Sequence, residues 1–138
     1  NASKYNEKDL SKYFAEEEKL EKWKYLKGSK RIERQSKNGH KYIYSEGTMS
    51  FPENMDEPAR TMLTSEGTVN RSSHIIFDDK NKKYRILTDV ECEMIQMFPP
   101  NWTNTMPSRR RYFMMGNALV TGIISRLEPT LRNIIENE

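Results

Sequence analysis

A single cysteine, Cys92, stands among the 138 residues, so no disulfide can form within the chain. Long apolar runs are missing too: the longest are a few residues, far short of the 18 or so that cross a bilayer, and no leader pattern opens the sequence. A membrane-spanning or secreted, disulfide-stapled protein is therefore not expected, and the chain reads as cytoplasmic. Two histidines with no Cys or carboxylate at ligand spacing give no metal site. A Gly-rich phosphate loop, an HExxH helix and a Ser or Cys nucleophile in a recognisable setting are all absent. Leu, Ile, Val and Phe fill only 26 positions, at the lower edge of what a packed core needs.

Charge is what the sequence has in quantity. Charged residues make up 31% and mean hydropathy is −0.93, yet the net charge is only +3. A low net charge argues against wholesale disorder, and the length is that of one ordinary domain. A thin core, much solvated surface and a face that rests on something else follow. Asn1-Ala2 reads as a remnant of cloning, because an unprocessed chain begins with Met. Residues 19–41 hold nine Lys/Arg against Glu21 and Glu33, a local net charge of +7. Such a run is either a solvated face or a surface for phosphates.

Leu10, Tyr13, Phe14, Leu20, Trp23 and Leu26 recur mostly at three- and four-residue intervals, which predicts one amphipathic helix or two short ones over residues 7–27. Beyond Gly39 the texture turns to short strands at residues 41–44, 60–64, 74–77 and 83–87, separated by Gly, Pro, Asn and Asp clusters. Thr88-Asp-Val-Glu91 is a capping box that opens a helix of about ten residues, ending at Phe98-Pro-Pro100. A polar loop over 101–111 leads to Gly116-Asn-Ala118 and a second helix. There Leu119, Ile123, Ile124 and Leu127 form an apolar stripe before Pro129, and a last turn covers 131–135. The fold class is α+β: a small irregular antiparallel sheet with flanking helices.

Few residues suggest chemistry. Cys92 lies between two glutamates, which raise a thiol pKa and weaken it as a nucleophile. Glu91 and Glu93 are two apart, so on a helix they diverge and do not pair as acid and base. Arg109-Arg-Arg111 suits phosphates or a salt-bridged loop equally. The loop Thr64-Ser-Glu-Gly-Thr-Val-Asn-Arg-Ser-Ser-His74 offers side chains whose donor and acceptor patterns read base edges, as other polar loops do.

Taken together, Asp56-Glu-Pro-Ala-Arg-Thr-Met-Leu-Thr-Ser-Glu-Gly67, Arg71, His74-Ile-Ile76, Arg85-Ile-Leu-Thr-Asp-Val-Glu91, Gln96-Met-Phe-Pro99 and Met115-Gly-Asn-Ala-Leu119 occur in a telling order. The series resembles the C-terminal part of bacterial DNA (cytosine-5) methyltransferases, the target-recognition domain followed by the family's ninth and tenth motifs. The likeness spans roughly residues 40–128, and Lys22-Trp-Lys-Tyr-Leu-Lys-Gly28 is similar to the variable part preceding it. Met114, where Gln is common, and Val120, where Pro is frequent, depart from the pattern. The catalytic Pro-Cys, the Glu-Asn-Val and the Gly-rich S-adenosylmethionine motifs have no match here, so no catalytic residue is assigned.

The resemblance implies roles. Asn117 and Ala118 would begin a helix returning to the catalytic domain and complete the S-adenosylmethionine pocket, with no metal. Arg85, Thr88, Glu91, Gln96, Phe98 and Gly116 would organise the domain and its joint. Ser65, Glu66, Gly67, Asn70, Arg71, Ser72 and His74 would face the major groove, Arg71 toward guanine and Glu66 toward cytosine N4. Lys30, Arg31, Arg109 and Arg110 would face the DNA backbone. Residues 3–100 would be the recognition domain, and 101–138 the linker and returning helix. The partners would be double-stranded DNA and a catalytic domain or subunit, with a dimer through the exposed joint also open. The implied function is methyl transfer to cytosine C5 in a restriction-modification system, this chain being inactive alone. A stand-alone DNA-binding module and a domain whose basic stretch binds an acidic protein are the competing readings.

Overall fold

The structure is a computed structural model that describes residues 10–137, so Asn1-Ala2 and residues 7–9 of the predicted first helix lie outside the described residues. A 3-10 turn, Ser11–Tyr13, precedes α1 (Glu17–Lys27), and two hairpins follow: β1 (Lys30–Gln35) with β2 (Lys41–Glu46), and β3 (Ile75–Asp78) with β4 (Lys83–Ile86). Three helices complete the chain: α2 (Asp89–Ile95), α3 (Ser108–Asn117) and α4 (Thr121–Glu136). Both sheets are two-stranded and antiparallel, which bears out the α+β class.

The amphipathic signal before Gly28 resolves into two pieces, with Phe14 extended between them. Phe14 bridges Arg85, and the Ala15 N–H donates to the Tyr84 carbonyl at 2.9 Å, so this segment lies along the outer edge of β4. The core is small: Met62, Ile76, Leu87, Cys92, Tyr112 and Met115, with Ile86, Ile95, Phe98 and Ala118 packed against it. Tyr112 stands at its centre, its hydroxyl donating to the Leu87 carbonyl at 2.6 Å.

Four expectations are corrected. Residues 60–64 form no strand; Met62 inserts into the core and the neighbouring backbone supports α3. The basic stretch includes a strand, β1, paired in register from Lys30↔Glu46 to Gln35↔Lys41. The polar loop after α2 stops at Pro107, whose carbonyl accepts the Arg110 and Arg111 N–H groups and thereby starts α3. The last helix begins at Thr121 and continues through Pro129, with Arg132 Nε donating to Glu128 at 2.8 Å across that point. One missing backbone N–H is evidently tolerated within sixteen residues.

Helix α2 is where the sequence reading is most closely matched. The Glu91 N–H donates to Thr88 Oγ1 at 3.1 Å, and the Thr88 N–H donates back to Glu91 Oε2 at 2.8 Å. The helix is only seven residues long, yet Asp89, Glu91 and Glu93 are all buried. Arg111 lies against both Asp89, at 3.5 Å, and Glu93, while Glu91 has a separate partner. Glu91 takes a bidentate pair from Arg85 at 2.7 and 2.8 Å. Asp89 accepts from Ser108 Oγ at 2.7 Å and from the Tyr13 hydroxyl at 3.2 Å. Glu93 accepts from Arg111 at 2.8 Å, from the Asn101 and Thr103 N–H groups at 2.6 and 2.9 Å, and from the Thr103 hydroxyl.

Two predictions follow from this packing. A Cβ on Gly116 would fall 2.3 Å from the Leu63 carbonyl carbon and the Thr64 nitrogen, both backbone atoms that cannot swing aside. Gly116→Ala should cost about 1–3 kcal/mol, the usual penalty of overpacking, seen as a lower denaturant midpoint at unchanged slope. Burial pushes the Glu93 carboxyl up, but hydrogen bonds from Thr103 and Arg111 outweigh it and hold it below its ordinary value of 4.5. Its stabilisation is therefore complete above that value and lost as pH falls through the depressed one. Glu93→Gln should cost about 1–3 kcal/mol at neutral pH, since Arg111 loses the nearer of its two carboxylates and keeps only Asp89 at 3.5 Å, and should flatten the acid limb in urea titrations from neutral to acid pH.

Candidate nucleic-acid interface

The loop joining residue 64 to β3 is built largely from its own polar side chains. Asn70 Nδ2 donates to the Ser65 carbonyl at 2.9 Å and to Ser73 Oγ at 2.7 Å, while its Oδ1 accepts the Ser72 and Ser73 N–H groups at 2.8 and 3.1 Å. Glu66 is buried and accepts from the His74 N–H at 2.8 Å, with its second oxygen 2.9 Å from His74 Nδ1. Gly67, at φ +79°, lies against the Tyr112 ring, where a Cβ would approach within 2.6 Å. Of the seven loop residues expected in the major groove, Ser65 is exposed and Gly67, Asn70, Arg71 and Ser72 are partly so, whereas Glu66 and His74 face each other inside.

Arg71 also turns inward. One guanidinium nitrogen donates to the Leu26 and Gly28 carbonyls at 2.6 and 3.2 Å and lies 3.3 Å from Glu46, and the other donates to the Gly47 carbonyl. These groups are the end of α1 and the two feet of the β1–β2 ribbon. A planar fork with several fixed donors suits this task as well as it suits a guanine edge.

The basic stretch divides on alternate residues. Lys30, Ile32 and Arg34 share one face of the ribbon with Tyr42, Tyr44 and Glu46, and Lys30, Arg34, Tyr44 and Glu46 engage one another there. Lys30 donates to the Leu26 carbonyl at 2.9 Å and lies 3.4 Å from Glu46, Arg34 stacks on the Tyr44 ring at 3.8 Å, and the Tyr44 hydroxyl donates to Glu46. That hydrogen bond raises the Tyr44 pKa and lowers that of Glu46. Arg31 lies on the opposite face and is exposed. Arg109 and Arg110 are exposed on α3, Arg110 lying 5.2 Å from the Phe113 ring centre, while Arg111 is buried against Glu93. The triple arginine is thus split by the helix turn.

The residues of the ninth and tenth motifs do come together. Gln96 Nε2 donates to the Met115 carbonyl at 2.8 Å, joining the end of α2 to α3. Asn117 and Ala118 close α3 rather than open a helix, because Ala118 is extended and its N–H is taken by the Met115 carbonyl. They line a shallow, mainly apolar depression with Met106, Arg110, Phe113 and Met114. Cys92 is fully buried, and burial followed by the surrounding carboxylates raises its pKa well above the ordinary value, which disfavours the thiolate that a nucleophile needs. Among the described residues no group of three or more His, Cys, Asp or Glu could hold a metal ion, and no helix is long and apolar enough to cross a membrane.

The profile of C-5 cytosine-specific DNA methylases matches residues 1–132. The chain belongs to that family. A relative, the type II methyltransferase M.Sau3AI of Staphylococcus aureus, is 48% identical over 118 residues, which are 86% of this chain and 28% of that protein. The chain therefore spans less than a third of the length of this relative. No solved structure matches.

Several working residues escaped the sequence reading. Lys27, almost wholly buried, pairs with Glu53 at 3.0 Å, and Arg60 grips the same carboxylate. No local pattern marks such a trio, whose members are brought together by the fold. The ribbon did leave a signal in Asn38-Gly39: the Ser36 N–H donates to the His40 carbonyl at 2.8 Å and the Gly39 N–H to the Ser36 carbonyl at 3.0 Å, so residues 37–39 form a three-residue hairpin loop with Gly39 at φ +80°. Since Arg71 ties the ribbon's feet, Arg71→Ala should raise amide hydrogen exchange across residues 30–46 by at least about tenfold while β3–β4 remains protected. Mass-resolved exchange on the two proteins checks this.

Proposed function

We propose that this chain is the DNA-recognising and cofactor-closing part of a DNA (cytosine-5) methyltransferase of a restriction-modification system, working in the cytoplasm. Residues 3–100 serve as the target-recognition domain, and residues 101–138 lead back to a catalytic portion outside this chain. The observation that carries the reading is α4. It follows directly on the tenth-motif residues, none of its side chains is buried, and Ile123, Ile124, Leu127, Leu131, Ile134 and Ile135 form a continuous apolar stripe. An apolar stripe of that length is unfavourable in water and calls for a partner surface. A stand-alone DNA-binding module would have no use for it.

When bound, S-adenosylmethionine supplies the methyl group. The depression at Asn117 and Ala118 fits one wall of such a pocket: its lining offers apolar contact and little polar chemistry besides Asn117 and Arg110. The polar groups needed for a charged cofactor would come from the catalytic portion. Within this chain, Gln96 holds the motif-bearing end of α3, and the Thr121 N–H donates to the Gln96 carbonyl at 3.1 Å to set the direction of α4. The exposed Lys and Arg supply attraction to phosphates.

The test combines methyl transfer and DNA binding. The purified chain alone should transfer no labelled methyl group to duplex DNA, and its binding should weaken linearly in log affinity with log salt. Adding the catalytic portion should restore transfer, and Leu127→Asp on the stripe should block that restoration. Methyl transfer by the chain alone, or an unimpaired Leu127→Asp assembly, would overturn the proposal.

A further inference from the structure

The loop expected to read bases commits Glu66, Asn70, Arg71 and His74 to internal bonds, so sequence discrimination needs another carrier. The β1–β2 ribbon has the right form, because the major groove, about 12 Å wide, admits a two-stranded ribbon. It also has the right charge: residues 30–46 hold five Lys/Arg against two Glu.

Its two faces differ. The face of Lys30, Arg34, Tyr44 and Glu46 is internally paired, as described above. The other carries Arg31, Glu33, Gln35, Lys41, Ile43 and Ser45. The Arg31 side chain makes no hydrogen bond or ion pair among the described residues and is exposed. Glu33 and Lys41 meet only at 3.7 Å with side chains 68% and 72% exposed, a pair worth little in water and easily exchanged. Ile43 is 56% exposed and lies in a shallow depression with these three residues and Tyr42. A guanidinium fork, a carboxylate and an apolar group within one depression match guanine O6/N7, cytosine N4 and the thymine methyl group.

We propose that the outward face of the β1–β2 ribbon enters the major groove and that Arg31 determines specificity by bidentate contact with a guanine. This rests on the chain being the DNA-recognising part of a methyltransferase. Arg71 then acts as a positioning residue, holding the feet of the ribbon at a fixed angle to the domain.

The experiment uses the intact methyltransferase, this chain together with its catalytic portion, on duplexes carrying every single-base variant of the site it methylates. Arg31→Ala should lose about tenfold or more of the discrimination at one G·C pair and leave the other positions unchanged. Arg31→Lys keeps the charge without the fork, so it should lose the same discrimination while affinity for unrelated duplex stays within about twofold. Because Arg31 is exposed, both variants should keep the circular dichroism of the unmodified protein. Restored discrimination in Arg31→Lys, or an unchanged profile in both variants, would overturn the ribbon proposal and leave the methyltransferase reading standing. An unmodified protein that neither binds nor methylates duplex DNA would overturn both.

Discussion

Three buried carboxylates on one short helix hold this molecule together. A helix of seven residues has no independent stability in water, so α2 exists because its surroundings require it. Glu91 leaves it on one side toward Arg85 of β4, while Asp89 and Glu93, one turn apart, share the other side and are met by Tyr13 from the N-terminal segment and by Thr103, Ser108 and Arg111 from the region that ends in α3. Desolvating each carboxylate is costly, and the bonds offset that cost only when every partner is in place. The arrangement therefore favours one assembly of the elements over others more than it adds net stability. With so few branched aliphatic residues, the chain obtains definition from charge pairs where a larger domain would use volume.

The second consequence of a thin core is that the molecule is organised around what it does not cover. The ribbon projects from the body with Tyr42 and Ile43 open to solvent, and α4 carries a full apolar stripe that no described residue buries. A two-stranded ribbon is marginal by itself, and here the Arg71 guanidinium secures its feet. The two features differ in chemistry: one is cationic and mixed, the other aliphatic.

The family motifs, in this setting, are mainly mechanical. Arg85, Thr88 and Glu91 form one interlocked unit, and Gln96 ties α2 to the Met115 carbonyl. Gly116 lets α3 rest on the backbone of Leu63 and Thr64. Asn117 and Ala118 line an open depression. In this chain these residues tie β4, α2 and α3 to one another.

Much of this was legible in the sequence where the cause was local. The Thr88–Glu91 capping box depends on four consecutive residues, β2, β3 and β4 on short runs between turn residues, and family membership on the order of several motifs, so each could be read without coordinates. The divergence of Glu91 and Glu93 follows from helical geometry alone. What the sequence left open depends on partners distant along the chain. Arg71 could equally have faced a base or the carbonyls of Leu26 and Gly47, because the same fork serves both. Glu66 and His74 became internal only when the turn at Gly67 folded against Tyr112, and Arg111 left the other two arginines only when Pro107 began α3. Residue type determines which bonds a side chain can make; which of them it does make is decided by the elements that surround it, and those were set by tertiary packing.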